Sequence, residues 1–352
     1  AFPGRPDLIA EYARAVTALT HPSNDCLDAS VLWSVAIDDA IYRAPTTSSE
    51  TWDFPGSLKG AAQLLPAERR DRWLHLIDEA CMRQAVTFAH NGWVVEAFQA
   101  ALSAIVHSPA PQGPAACQNL RVAIEAGVRC GRDADTVAAI AGALLGARWG
   151  ASALPVSWTT VLHGKRIYGE PELRSVDLDA LARLAIRGGK PDNLEWPAAE
   201  RLVPTYLRDW PQRARSVELQ GVRFGNIAGL ESELESGIET VVSLCRMGTR
   251  DVPASVEHLT VGVLDSHDRA DNPNLEFMLA DIADFIHARM EEGRRVFVHC
   301  VQAESRTPTV AAVLIARHGM MTPEAAIGTV GMALGQIRNS TLAAAVQAAA
   351  SL

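Results

Sequence analysis

Val296-Phe297-Val298-His299-Cys300-Val301-Gln302-Ala303-Glu304-Ser305-Arg306-Thr307 is the stretch whose reading decides the fold of the C-terminal third. Residues 295–299 (RVFVH) form an apolar run of strand length. Residues 307–318 carry apolar side chains at helical spacing. Cys300 and Arg306 bracket the loop between them. Cys-x5-Arg is weak evidence by itself, and the strand before it and helix after it make it specific. A loop from a strand end to a helix N-terminus aims successive backbone N–H groups at one spot, and the helix dipole adds to them, so the expectation is an anion site. The same field favours thiolate over thiol, which makes Cys300 a candidate nucleophile. Arg306 is suited to grip two phosphoryl oxygens at once. Val301, Gln302, Ala303, Glu304 and Ser305 complete the phosphate-binding loop. Thr307 is expected to donate its hydroxyl to the sulfur when it leaves, and His299 to brace the loop.

Working outward, a leaving alcohol or phenol needs a proton donor. Asp265, just after an apolar strand, is the first candidate, and Asp268 is the reserve. Residues 239–245 and 259–264 read as short buried strands, residues 275–292 as a helix, and residues 323–334 and 340–350 as two closing helices. Strand and helix in alternation imply a mostly parallel sheet flanked by helices.

These residues carry a resemblance. From about Val217 to Leu352 the chain resembles a dual-specificity or tyrosine phosphatase domain, through ETVVSLC, VLDS, ADIADFIHARM and HCVQAESRTPTVAAVLIA. The resemblance implies Cys300 as nucleophile, Arg306 as phosphate-binding arginine, Asp265 as general acid and Thr307 as the hydroxyl. It implies no cofactor for this domain. Two positions depart from the pattern. Ala303 stands where the family has glycine, so its Cβ is expected to crowd a glycine-type conformation. Glu304 places a negative charge beside a site for a dianion. The competing readings are a structural cysteine at a strand end, a rhodanese-like sulfur carrier that would not need Asp265, and a pseudophosphatase that binds phosphorylated groups without turnover. The substrate class spans phosphoproteins and small-molecule phosphates.

Before this region the grammar is helical. Residues 7–20, 26–42, 66–89 and 93–106 repeat apolar residues every three or four positions. Residues 138–150 are rich in small side chains, as in a helix buried among helices. A last helix covers residues 177–186. Pro191, Pro197, Pro204 and Pro211 then mark a connection. The expected organisation is two domains: an all-α domain over residues 1–189, a linker over 190–215, and an α/β domain over 216–352.

In the helical part, Gly131-Arg132-Asp133-Ala134-Asp135-Thr136 puts two carboxylates and a hydroxyl at the start of a helix. Hard oxygen ligands of this kind suit Mg²⁺ or Mn²⁺. Taken alone, the motif reads better as a helix N-terminus whose acids satisfy the dipole. The flanks change that. From about Pro6 to Gly189 the chain resembles the ADP-ribosylglycohydrolase family, through Thr20-His21-Pro22, Asn91-Gly92-Trp93-Val94-Val95, GRDADTVAAIAGALLGARWGAS, and Trp158 followed by His163-Gly164. The resemblance implies an all-helical fold, an ADP-ribosylated substrate, and a binuclear site in which Asp133, Asp135 and Thr136 ligate metal. The metals would hold ribose hydroxyls and position a water at the anomeric carbon. His21 and Gly92 would border the cleft. The family's N-terminal Thr-Asp-Asp ligands have no counterpart, since Asp38-Asp39 lacks the threonine and reads as a solvated helix face. With Ala1 in place of an initiator methionine, the expectation is a partial domain without hydrolase activity of its own.

The chain has 352 residues, more than one core usually organises. Its 48% hydrophobic and 21% charged content is that of a globular protein, and a net charge of −9 argues against a general nucleic-acid binder. No stretch reads as a membrane span or signal peptide. The six scattered cysteines suit a reducing cytoplasm. Trp33, Trp73, Trp93 and Trp149 are expected in the core, His163 and His258 as structural histidines, and Cys245 as buried packing.

Overall fold

The computed structural model describes residues 2–42, 52–169, 172–197 and 199–352, and the chain divides into two compact units, Ala1–Leu154 and Pro155–Leu352.

The first unit is all helical: α1 (Pro6–Ala18), α2 (Asn24–Tyr42), α3 (Phe54–Ala61), α4 (Ala67–Met82), α5 (Val94–Val106), α6 (Gln118–Arg129) and α7 (Ala134–Trp149). Its centre is α5, where every residue from 97 to 105 is buried, including Gln99 and Ser103, whose side chains are hydrogen-bonded. Trp33 of α2 and Trp73 of α4 meet Phe98 of α5 edge to face, with centroids 5.1 and 5.2 Å away. α6 and α7 pack closely because their contact is made of small residues. A Cβ on Gly127 would stand 3.3 Å from the Ala138 backbone. Trp93 departs from the core expectation: it is 47% exposed, because its position just before α5 turns the indole outward.

The second unit holds α8 (Val156–Thr159), the short antiparallel pair β1 (His163–Gly164) and β2 (Leu173–Arg174), α9 (Ser175–Ile186) and α10 (Val203–Asp209). Then come β3 (Ser216–Leu219), β4 (Val222–Asn226), α11 (Leu230–Glu235), β5 (Thr240–Ser243), β6 (Glu257–Thr260), α12 (Leu275–Glu291), β7 (Val296–Cys300), α13 (Arg306–His318), α14 (Pro323–Leu334) and α15 (Ser340–Ser351). The sheet order is β3-β4-β7-β5-β6, parallel except for the β3–β4 hairpin. That hairpin was not anticipated. It turns on Gln220 and Gly221, with φ of 49° and 80°, the two positive angles that a two-residue hairpin turn requires.

Both faces of the sheet are covered, so its central strands bury apolar side chains on both sides. Val242, Val296 and Val298 face a core with α12, α13 and α15. Val241 and Phe297, one residue out of phase, face a second core with Leu202, Tyr206, Ile227 and Leu230. The strand expected over 259–264 is shifted, with pairing at residues 257–260 and an irregular stretch after it.

Two boundaries also differ from the sequence reading. Residues 155–189 fall in the second unit, where Val156 is buried in the core and its N–H donates to Asp281 of α12 (2.6 Å). The stretch read as a linker carries α10 and buries Ala199, Leu202 and Tyr206, because its apolar side chains cover the sheet's second face. Among the described residues no helix is long and apolar enough to cross a membrane.

Candidate active site

β7 is buried along its whole length and delivers Cys300, 2% exposed, to the C-terminal edge of the sheet. Residues 301–305 turn over it, and α13 starts at Arg306. The loop N–H of Ala303 points at the sulfur, with N to Sγ 3.3 Å. Ala303 is where the chain departs from glycine, and it does adopt φ of +57°. The left-handed conformation expected of the loop is therefore present with a Cβ in it, at about 1–2 kcal/mol. Glu304 does not load the site with charge as its sequence position suggested. Its carboxylate turns to Arg338, with Nη1 to Oε2 2.6 Å, and its carbonyl accepts the Arg338 N–H at 3.0 Å.

Among the described residues Arg306 makes one hydrogen bond through its side chain. Its Nη1 donates to the Leu244 carbonyl just after β5 (2.6 Å), and its Nε is buried without a hydrogen-bonding partner. A guanidinium fixed by one nitrogen and unsatisfied at another is poised for an incoming anion. Asp265 stands beside it, Oδ2 to Nε 3.9 Å, and at 38% side-chain exposure remains open to a leaving group. Its loop is pinned by buried Asn272, which exchanges two 2.9 Å hydrogen bonds with the Leu264 backbone, and by Thr341, whose hydroxyl donates to the His267 carbonyl (2.9 Å). Asp268, the reserve acid, accepts the Ala270 N–H (2.9 Å) as a local cap.

Thr307 sits differently from the expectation. Its hydroxyl is buried and donates to the Gly225 carbonyl of β4 (3.3 Å), tying α13 to the sheet rather than facing the sulfur. Thr307 lies in the first turn of α13, where the helix packs on β4 and brings its hydroxyl to that strand's carbonyl. His299 is fully buried, stacks on Phe297, and places Nε2 2.8 Å from Ser243 Oγ. Ser243 also meets His258 Nε2 at 2.9 Å, so a polar line crosses β7, β5 and β6. Burial pushes the His299 pKa down to about 3, with neighbouring His258 and Arg306 adding to the shift. His258 is lowered to about 4, again by burial. Both rings are neutral at pH 7, so His299 supports the loop as a neutral hydrogen-bonding group. Cys245 is buried, and burial pushes its thiol up to about 12, keeping it protonated.

In the helical unit Thr136 Oγ1 donates to Asp133 Oδ1 (3.0 Å) at the start of α7. The Asp133 N–H donates to the side chain of Asn91 (3.3 Å), and Asn91 Nδ2 donates to the Gly131 carbonyl (3.0 Å). Asn91, fully buried, therefore joins the Asn91-Gly92 segment to the acidic turn, a link not anticipated. Gly92 lies beside the acidic turn, where a Cβ would stand 3.9 Å from Asp133 Oδ2. His21, exposed beyond α1, bonds Thr20 at 3.0 Å and is joined by no hydrogen bond to the acidic turn. Asp133, Asp135 and Thr136 are hard oxygen donors, but they supply only part of the roughly six-oxygen sphere of Mg²⁺. Among the described residues no group of three His, Cys, Asp or Glu side chains converges as a metal site. The residues present do not by themselves make a complete metal centre.

The family model of ADP-ribosylglycohydrolase matches residues 1–193. The chain belongs to the ADP-ribosylglycohydrolase family. Human ADP-ribosylhydrolase ARH3 is 25% identical over 176 residues, a match covering 44% of this chain and 48% of that relative. This ADP-ribosylglycohydrolase family member thus spans about half the length of the curated relative it matches. Solved structures resemble another part of the chain. A mouse putative dual specificity phosphatase complexed with zinc tungstate is 22% identical, covering 40% of this chain and 88% of that one, with a TM-score of 0.34. Human DUSP28 is 20% identical, covering 40% and 95%, with a TM-score of 0.35.

Proposed function

We propose that residues 216–352 form a cysteine-dependent phosphatase acting through a phospho-cysteine intermediate. The observation that carries this reading is the half-satisfied Arg306, buried at Nε and anchored at Nη1, at the head of the helix that follows Cys300. A phosphate dianion in the loop would accept from the loop N–H groups and from Arg306. The Cys300 sulfur attacks phosphorus, forming S–P as P–O breaks, and the leaving oxygen takes its proton from Asp265. Asp265, now a carboxylate, takes a proton from the water that cleaves the S–P bond, which returns the thiolate and releases phosphate. The charge that builds on the phosphoryl oxygens falls on donors that are already in place, so little reorganisation is needed. The substrates would be phosphorylated proteins or small-molecule phosphates.

The strain at Ala303 favours a second reading, a pseudophosphatase that recognises phosphorylated groups without turning them over. Cys300→Ser separates the two. In a phosphatase, hydrolysis of an aryl phosphate falls by at least about a thousandfold and phosphate binding survives. Parent protein that binds phosphate and hydrolyses nothing would leave the binding module.

For the helical unit we propose recognition of ADP-ribosylated groups at the turn formed by Asp133, Asp135 and Thr136, with Mg²⁺ or Mn²⁺ held there only in part by these donors. Hydrolysis of the glycosidic bond by this chain alone is not expected, so the two modules would combine as a phosphatase beside an ADP-ribose-binding domain. A thiolate nucleophile works in a reducing compartment, and we place the protein in the cytoplasm on that ground.

A further inference from the structure

Residues 336–341 lie far along the chain from Asp265, yet they touch both loops of the site. Arg338 holds Glu304 of the cysteine loop through its N–H (3.0 Å) and its guanidinium (2.6 Å). Thr341 holds His267 in the acid loop, and between them Asn339 donates from Nδ2 to Asp265 Oδ1 (2.9 Å). Which end of the Asn339 amide faces Asp265 is settled by the helix it caps. Its Oδ1 accepts the N–H groups of Thr341 (3.0 Å) and Leu342 (3.1 Å), the open donors at the start of α15. Only the NH₂ end is left for the acid.

We propose that Asn339 is a positioning residue for Asp265, which turns the carboxyl group so that its proton sits on Oδ2 and faces the leaving oxygen. The inference rests on the phosphatase reading above. An amide NH₂ only donates, and in a neutral carboxyl group the oxygen without the proton is the better acceptor. With Oδ1 accepting from Asn339, a protonated Asp265 is favoured to carry its proton on Oδ2, the oxygen named in the 3.9 Å approach to Arg306. Asn339 is 2% exposed, so releasing Asp265 would leave a buried donor without its acceptor. When the leaving oxygen takes the Oδ2 proton, Asp265 becomes a carboxylate, and the bond from Asn339 becomes charge-assisted and stronger. The contact is therefore better in the product of proton transfer than before it, which is the direction that helps the step.

Asn339→Ser separates this role from capping, because serine caps a helix as well as asparagine does but brings no NH₂ to Asp265. The variant and the parent are compared on phenyl phosphate, whose leaving group needs a proton, and on 4-nitrophenyl phosphate, whose leaving group departs as the anion. The expected result is an unchanged melting temperature, a loss of about tenfold or more in kcat on phenyl phosphate, and a loss of less than about threefold on 4-nitrophenyl phosphate. In an Asp265→Asn background the serine substitution should add nothing further. Equal losses on both substrates, or losses that add to those of Asp265→Asn, would mean a merely structural asparagine and would overturn the inference. A variant indistinguishable from an active parent overturns it as well, while leaving the phosphatase reading intact. A parent that turns over neither substrate removes the phosphatase reading, and this inference with it.

Discussion

Ala303 shows what one methyl group does in a loop built for glycine. Its Cβ is buried and its φ is +57°, so the backbone takes the shape the site needs at a local cost. Replacing it with glycine should relieve about 1–2 kcal/mol of conformational strain while losing the burial of one methyl, about 0.8 kcal/mol. Ala303→Gly is therefore expected to leave the melting temperature within a few degrees and to raise kcat/KM on an aryl phosphate. A fall in kcat/KM would show that the alanine is fitted to this loop rather than tolerated by it. Cys300, Arg306 and Asp265 were legible as residue types at a spacing, because strand, loop and helix follow one another in sequence. Asn339 was not, since its partner lies 74 positions away. The one local signal was an asparagine directly before a Ser-Thr helix start, which reads as an N-cap and hides its second role.

At the level of elements, a polar line runs from His299 of β7 through Ser243 of β5 to His258 of β6. Its consequence for stability follows from the depressed pKa values. Both histidines ordinarily titrate near 6.5 and are held at about 3 and about 4, so the unfolded chain binds protons that the folded chain does not. Stability from this pair is complete above the ordinary value and is lost as pH falls from there toward the folded values. Each histidine contributes up to about 1.4 kcal/mol per pH unit in that window. The groups acting on the pair are Arg306, which opposes protonation of His299, and Asp251, which favours that of His258. Melting temperature should therefore drop between about pH 7 and pH 5, and drop less in His258→Gln. A drop of the same size in that variant would place the acid sensitivity elsewhere. Most helices were visible as periodic apolar stripes. The β3–β4 hairpin was not, because Gln-Gly is a weaker turn signal than Asn-Gly and the strands are only four and five residues long.

For the whole molecule, the two chemistries have different needs. Every group proposed for phosphoryl transfer comes from the protein's own side chains and backbone, whereas the acidic turn of the helical unit offers Mg²⁺ only part of its oxygen sphere. Chelation with EDTA is therefore expected to leave aryl-phosphate hydrolysis unchanged. Added Mg²⁺ is expected to give no release of ADP-ribose from an ADP-ribosylated protein above background. Robust Mg²⁺-dependent release would overturn the second expectation, and loss of aryl-phosphate turnover in EDTA the first. The sequence by itself determined the class of each half and singled out Cys300, Arg306 and Asp265 as candidates, because period and spacing along the chain are local and survive without knowledge of packing. Tertiary structure alone decided where the second unit begins, that residues 190–215 cover a sheet face, and that Glu304 is neutralised by Arg338. It also turned Thr307 to Gly225 and brought Asn339 to Asp265. Each of these joins residues that only a packed sheet and its helices bring within hydrogen-bonding distance. Spacing along the chain thus nominates Cys300 and Arg306, and the fold decides which neighbours hold them.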